Sequence, residues 1–157
     1  MRLFIATPII CDKYEEIKKL FQECIDAKWV DKSNLHLTHL FIGEDEPNKY
    51  KNIKLNIPKD KIVIDGLGKF GDKVLFLNVT NKSAKSINSQ LQKTLNKKID
   101  YKPHITLCRI KTIKDKDTFK KLINSYKIHF EMEYKVYLYQ SILTPKGPIY
   151  KKIYEYK

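Results

Sequence analysis

His36-Leu37-Thr38 and His104-Ile105-Thr106 are the two stretches around which the chain is organised. Each places a histidine and a threonine on either side of one aliphatic residue in an apolar segment, a pattern that predicts a β-strand. Side chains two positions apart on a strand point to the same face, so each copy offers an imidazole beside a hydroxyl. Two copies facing each other would form a cleft in which one histidine accepts a proton and the other donates one near neutral pH.

The elements around the two copies also repeat. A strand at Leu3-Phe4-Ile5, a helix and a loop precede the first copy, and a strand at Leu75-Phe76-Leu77, a helix and a loop precede the second. The strands are 72 residues apart and the histidines 68. We therefore predict an α+β fold with two lobes related by an approximate two-fold axis around a shared cleft. The expected unit is a single bilobal domain, residues 1–157, with an internal repeat at about residues 3–43 and 75–110.

Helices and a hairpin account for most of the remaining pattern. Asp12 and Glu15 have capping-box spacing, and apolar residues at helical spacing continue to Ile25, so a helix is expected there. Further helices are expected at about residues 83–97 and around Phe119. The C-terminal segment alternates on either side of Pro145-Lys146-Gly147-Pro148, which indicates a β-hairpin.

The segment Gly66-Leu67-Gly68-Lys69-Phe70-Gly71 fits the G-x-G-x-x-G pattern of dinucleotide-binding folds. That pattern binds pyrophosphate only where its last glycine opens a helix. Here an apolar strand follows instead. We interpret the segment as a glycine-rich turn between two strands.

The composition is compatible with a polyanionic partner and with a simple lysine bias. The formal net charge is +13, which would attract nucleic acid, although a lysine-rich composition also arises from coding bias or heat adaptation. Only Arg2 and Arg109 are arginines among 31 basic residues, and a guanidinium can bind phosphate through two hydrogen bonds. The three cysteines form no C-x-x-C pair, no apolar run is long enough to span a membrane, and the sequence has no signal-peptide pattern. These features favour a cytoplasmic location away from membranes.

Other chemistries fit the residues less well. His36 and His39 have H-x-x-H spacing, but on a strand they point to opposite faces, so we expect no metal site. His39 and His129 are interpreted as structural or surface residues. No G-x-S-x-G elbow occurs, and Cys108 has no evident activating partner, so a serine or cysteine nucleophile is not expected.

The chain resembles the 2H phosphoesterase superfamily, and within it the RNA 2′,3′-cyclic phosphodiesterases, historically called 2′-5′ RNA ligases. The resemblance covers nearly the whole chain. One departure is His39-Leu40, where an aliphatic residue and then a lysine are expected. The segments that carry the resemblance are Met1–Ala6, His36–Glu44, Gly66–Phe70, Pro103–Arg109 and Gly147–Tyr150.

The resemblance implies antiparallel-sheet lobes with outer helices, no metal or other cofactor, and hydrolysis of an RNA terminal 2′,3′-cyclic phosphate to a 2′-phosphate, with weak 2′-5′ ligation. It implies His104 as base and His36 as acid, with Thr38 and Thr106 donating hydrogen bonds to phosphate. The expected partner is RNA or a nucleotide with a cyclic phosphate, bound by a monomer. Two alternatives remain open: an RNA-binding module without turnover, and a phosphodiesterase for another cyclic phosphate or a 2′-5′ oligonucleotide.

Phe41 and Arg109 lie five residues after their histidines, and the resemblance implies that they contact nucleotide or phosphate. Strand alternation argues against this, because an odd offset points a side chain away from the cleft. They can contact substrate only if the strand bends or ends before them.

Overall fold

Nine strands form two antiparallel sheets in the computed structural model, which describes residues 1–157. The first sheet has the order β3-β1-β8-β9 and the second β2-β6-β5-β4-β7. This is the predicted α+β class. The strands are β1 Arg2–Pro8, β2 Ile25–Trp29, β3 His36–Glu44, β4 Ile62–Phe70, β5 Val74–Val79, β6 His104–Ile113, β7 His129–Met132, β8 Val136–Thr144 and β9 Gly147–Tyr156. The helices are α1 Tyr14–Phe21, α2 Asn48–Lys51, α3 Ser86–Thr94 and α4 Lys116–Ser125.

Side-chain alternation divides each sheet into a core face and a site face. In β1, Leu3 and Ile5 join one continuous hydrophobic core that also includes Leu75 and Leu77 of β5. Phe4 lies between them in sequence and packs in a separate small cluster on the opposite face. Adjacent strand positions therefore serve stability on one side and the site on the other.

The helices after β1 and β5 bury the same set of positions. Tyr14, Ile17 and Phe21 are buried on α1, and residues 70 positions later are buried after β5. Those later residues are Ala84, Ile87 and Leu91. None of the four helices has the length and apolarity that crossing a membrane requires.

The helix predicted from Asp12 to Ile25 is shorter than expected. The structure begins it at Tyr14 with no side-chain cap and ends it at Phe21. Ile25 instead starts β2, whose residues alternate between more and less buried positions and pair with β6 of the second sheet. The apolar residues of β2 have period two, and pairing with β6 overrides continuation of the helix.

The predicted glycine-rich turn at residues 66–71 is wrong. Strand β4 continues to Phe70, and the turn follows at Gly71-Asp72-Lys73. The ring of Phe76 lies against Gly68, where an added Cβ would sit 2.5 Å from a ring carbon. Gly68 is therefore explained by the close approach of a side chain across two paired strands.

Candidate active site

Both H-x-T strands contain a β-bulge directly after the threonine. In β3, Thr38 pairs with Ala6 and Leu40 with Ile5, so His39 is the extra residue. In β6, the register shifts between Phe76, which pairs with Thr106, and Leu75, which pairs with Cys108, so Leu107 is extra. An extra residue inverts the alternation of every side chain that follows it on the strand.

The bulges place Phe41 and Arg109 on the same face as the histidines. The prediction from strand alternation, that Phe41 and Arg109 point away from the cleft, is therefore wrong, because alternation inverts at a bulge. The Phe41 side chain is 53% exposed, and Arg109 is exposed as well. The pairing also gives a strand offset of 70 residues, from Ala6 opposite Thr38 to Phe76 opposite Thr106, instead of the 72 inferred from sequence.

His36 lies in an aromatic pocket of the first sheet. Its Nδ1 is 2.7 Å from the backbone oxygen of Asn34, two residues earlier in the chain. The ring centroids of Phe4 and Tyr150 each lie 5.2 Å from the imidazole, with Tyr150 edge-on. One backbone bond and two aromatic neighbours thus fix the orientation of the ring.

His104 has matching surroundings in the second sheet. Its Nδ1 is 2.8 Å from the backbone oxygen of Lys102, again two residues earlier. The rings of Phe70 and Phe76 lie 4.8 and 5.3 Å from the imidazole, with Phe70 edge-on. Two different sets of aromatic residues therefore build equivalent pockets.

The backbone oxygens decide the tautomer of both histidines. A carbonyl oxygen can only accept a hydrogen bond, so Nδ1 must carry the hydrogen in each ring. Nε2 of His36 and Nε2 of His104 form no hydrogen bond within the protein. In the neutral ring Nε2 is an acceptor, and in the charged ring it is a donor, so either can move a proton.

Burial lowers the pKa of both histidines. For His36, burial is opposed by the hydrogen bond to Asn34, and the charge of His104 lowers the pKa further. For His104, burial is opposed by the hydrogen bond to the Lys102 carbonyl, while the charges of Lys102 and Arg109 lower the pKa. The two imidazoles are thus electrostatically coupled across the two sheets.

Thr38 and Thr106 stand two residues after the histidines on the same face, and neither hydroxyl hydrogen-bonds to another protein group.

The bulge in β3 is held by hydrogen bonds from the other lobe. Tyr101 OH donates to the Thr38 carbonyl at 2.7 Å, and Asn88 Nδ2 donates to the His39 carbonyl at 2.6 Å. Residues of the second repeat therefore hold the first H-x-T strand in place.

Arg109 and Phe41 have different neighbours. The charge of Arg109 lowers the pKa of Tyr150, against the larger effect of burial, so the guanidinium acts on residues of both sheets. Phe41 lies under Arg2, whose guanidinium carbon is 5.2 Å from the ring centroid. The structure thus brings Arg109 toward both histidine pockets and leaves Phe41 beside an N-terminal cation.

Sequence reasoning missed the aromatic residues that orient the histidines. From sequence, Phe4, Phe70, Phe76 and Tyr150 belong only to strands or to segments of the family resemblance. Their signal is weak, because aromatic residues in strands are ordinary core residues. The strand pairing was needed to put them on the site face.

His39 is fully buried, and its Nε2 shares a hydrogen bond of 2.8 Å with Thr7 Oγ1. Its Nδ1 has no partner, and burial, with a smaller effect from the charge of His36, lowers its pKa to about 3. His129 is exposed, 3.7 Å from Asp65. Both positions agree with the structural or surface roles expected. No three His, Cys, Asp or Glu side chains lie together in an arrangement able to hold a metal ion.

Comparison with known proteins gives relatives over nearly the whole chain. An RNA 2′,3′-cyclic phosphodiesterase of Methanocaldococcus jannaschii is 37% identical over 174 residues, covering 99% of this chain and 100% of the relative. The chain belongs to the RNA 2′,3′-cyclic phosphodiesterase family. A second member, from Thermotoga maritima, is 32% identical and covers 99% of this chain and 94% of its own length. No protein-family model matches the chain.

Solved structures share the fold of this RNA 2′,3′-cyclic phosphodiesterase family member. A Thermus thermophilus protein, TT0787, superimposes with a TM-score of 0.73 at 23% identity, covering 99% of this chain and 97% of that one. LigT of Escherichia coli complexed with 3′-AMP gives a TM-score of 0.72 at 18% identity, covering 99% and 96%. These comparisons confirm the α+β architecture and the family resemblance found in the sequence.

Proposed function

We propose that this chain hydrolyses RNA terminal 2′,3′-cyclic phosphate to a 2′-phosphate without a metal ion, using His36 and His104 as an acid and base pair. The observation that carries the proposal is that the two imidazole rings have the same hydrogen-bond surroundings. Each has Nδ1 bound to a backbone carbonyl and Nε2 without a protein partner. The names of the relatives, RNA 2′,3′-cyclic phosphodiesterases, supply the substrate class.

The reaction needs one proton removed and one delivered. The neutral imidazole takes a proton from water through Nε2 as the water oxygen attacks phosphorus. The charged imidazole gives its Nε2 proton to the ribose 3′ oxygen as the bond from phosphorus to that oxygen breaks. Each transfer contributes about 10²–10⁴-fold to the rate.

Thr38 and Thr106 would stabilise the charge that develops on the non-bridging phosphate oxygens. Their hydroxyls are not used elsewhere in the protein, and each stands beside its histidine on the same strand face. Arg109 would add a planar cation at the phosphate. Phe41, exposed on the same face, would contact the nucleotide.

The family resemblance gives His104 as base and His36 as acid, and the cations beside His104 fit that assignment. The cationic side chains of Lys102 and Arg109 both oppose protonation of His104. For His36, the charge that opposes protonation is that of His104 itself. Burial opposes protonation more than these charges do and is greater at His36, so the support for His36 as acid comes from the charges and from the family resemblance.

The proposal also includes the organisation of the chain. It treats residues 1–157 as one bilobal domain with repeats at about residues 3–43 and 75–110, active as a monomer in the cytoplasm. A weak 2′-5′ ligation would follow the same course, with a ribose 5′ hydroxyl in place of water attacking phosphorus as the bond from phosphorus to the 3′ oxygen breaks.

The test incubates purified protein with an RNA that ends in a 2′,3′-cyclic phosphate and identifies the position of the phosphate in the product. We expect a 2′-phosphate, at the same rate with and without EDTA. A 3′-phosphate product or loss of activity in EDTA would contradict the proposal. Binding of the RNA without any product would favour the RNA-binding module, and turnover of a 2′-5′ oligonucleotide alone would favour the other substrate class.

A further inference from the structure

A basic cavity lies beside the second histidine, outside the residues assigned to the reaction. Its volume is about 420 Å³. Three lysines contribute to its wall, and no acidic residue does. The residues that line it are Asn78, Val79, Thr80, Asn81, Lys82, Lys85, Lys102 and Pro103.

The cavity adjoins the start of β6, where His104 lies. Asn78 of β5 is paired directly opposite His104, so the two side chains share a sheet face. Lys102 provides the carbonyl that binds His104 Nδ1. Its Nζ also lies 5.3 and 5.5 Å from the ring centroids of Phe70 and Phe76, the rings that pack on His104. A ligand in the cavity would therefore be continuous with one at His104.

The three lysine ammonium groups and the Thr80 hydroxyl are the side-chain donors in this wall that are free to bind a ligand. None of the three ammonium groups forms an ion pair within 4.0 Å. The amides are already engaged: Asn78 Nδ2 donates to the Leu67 carbonyl, and Asn81 Nδ2 donates to Ser83 and Tyr134. Unpaired cations around a concavity concentrate positive potential there.

The first lobe lacks this charge. By the strand and helix offset of 70 residues, Lys82 and Lys85 correspond to Asp12 and Glu15. By the histidine offset of 68, Lys102 corresponds to Asn34. The two histidines are thus alike, but only His104 has this group of three lysines beside it.

We propose that this cavity is a binding site for a phosphodiester of the RNA backbone leading to the cyclic end, held by Lys82, Lys85 and Lys102. The inference rests on the proposed function and adds a substrate preference to it. The enzyme favours an RNA chain over a cyclic mononucleotide, because only the chain supplies a second phosphate for the cavity. Lysine acts on such phosphates as a point charge, without base preference.

The test compares a double variant, Lys82→Gln with Lys85→Gln, with a control that removes the same charge, Lys116→Gln with Lys120→Gln on α4. Lys102 is left in place because it also contacts the rings around His104. The substrates are cytidine 2′,3′-cyclic phosphate and an RNA hexamer ending in the same group. We expect the cavity variant to lose about tenfold in kcat/KM on the hexamer at low salt and less than twofold on the mononucleotide.

A second readout separates this proposal from the proposed function. Binding of a labelled RNA hexamer with a 3′-phosphate, followed by fluorescence anisotropy, needs no turnover. We expect the cavity variant to bind more weakly, with a salt dependence shallower by about 0.7 for each phosphate that the protein no longer neutralises. Equal losses on both substrates, or equal weakening of RNA binding in the α4 control, would overturn the proposal. Absence of turnover by the wild-type protein, with binding still dependent on the cavity, would overturn only the proposed function.

Discussion

The two lobes build the same pocket from different residues and surround it with different charges. His36 and His104 each bind a carbonyl two residues earlier and pack against two aromatic rings. Lys102 stands near His104, where the first lobe has the neutral Asn34. Backbone geometry can therefore preserve the orientation of a ring while nearby charge tunes its acidity separately.

The largest expected effect comes from the histidines themselves. We expect His36→Asn and His104→Asn each to lower kcat on a 2′,3′-cyclic phosphate by about 10²–10⁴-fold, because each removes one proton transfer. The double variant should be little worse than either single one, since the pair acts as a unit. His129→Asn, at an exposed histidine, is the control. Full activity in either site variant would contradict the prediction that both lobes contribute a proton transfer.

The second expected effect concerns the support of His104. In Gly68→Ala the new Cβ would lie 2.5 Å from a Phe76 ring carbon and 2.7 Å from Asn78 Oδ1, so the ring must move. We expect a loss of about 1–3 kcal/mol in the free energy of unfolding and a lower kcat. Gly71→Ala is the control, because its Cβ would meet nothing within 4 Å and its cost is conformational only. Both variants can be followed by thermal unfolding and by turnover, and unchanged kcat in Gly68→Ala would refute the supporting role of Phe76.

The third effect tests the one bulge residue that differs between the lobes. His39 corresponds to the buried Leu107, so His39→Leu makes the bulges alike. Burial, and then the charge of His36, depress the pKa of His39 to about 3, so the unfolded chain takes up a proton there first as pH falls below about 6.5. Neutral His39 therefore contributes its full stabilisation above about pH 6.5. Between there and pH 5.5, protonation of the unfolded chain lowers the free energy of unfolding by about 1.4 kcal/mol.

We therefore expect the stability of the wild-type protein to fall more steeply between pH 6.5 and 4.5 than that of His39→Leu. Urea unfolding at a series of pH values measures the difference. Thr7→Val should be added in both backgrounds, because His39→Leu leaves the buried Thr7 hydroxyl without its partner. Parallel pH profiles for the two proteins would contradict the assigned pKa.

The smallest expected effect is a change in the histidine pKa values, caused by the charge difference between the two pockets. Lys102→Met removes a cation that lowers the pKa of His104, so that pKa should rise. Asn34→Lys should lower the pKa of His36, because it adds a cation at the matching position. NMR titration of the imidazole Cε1–H signals reads each histidine separately. A shift of the wrong sign in either variant would remove the electrostatic basis for His104 as base.

The strands, and the position of His36 and Thr38 on one strand face, could be predicted from sequence, because strand alternation is a local property. The bulges could not, since an extra residue leaves no local mark beyond two consecutive buried positions such as Leu107 and Cys108. The end of α1 at Phe21 and the place of β2 in the second sheet could not be predicted either, because both depend on the pairing of β2 with the distant strand β6. The aromatic pockets depend on that same long-range register.

The backbone tether of the histidines has a consequence for how protons are counted in the site. A carbonyl, unlike a carboxylate, takes up no proton, so the two tethered rings exchange protons at two atoms only, the two Nε2 atoms. Four occupancy states follow, and the two with a single proton are mirror images of each other. In the proposed reaction, hydrolysis and ligation both begin from the same member of that pair and end on the other. Cleavage of a 2′-5′ linkage, the reverse of ligation, begins from that other member and requires no side chain to rearrange.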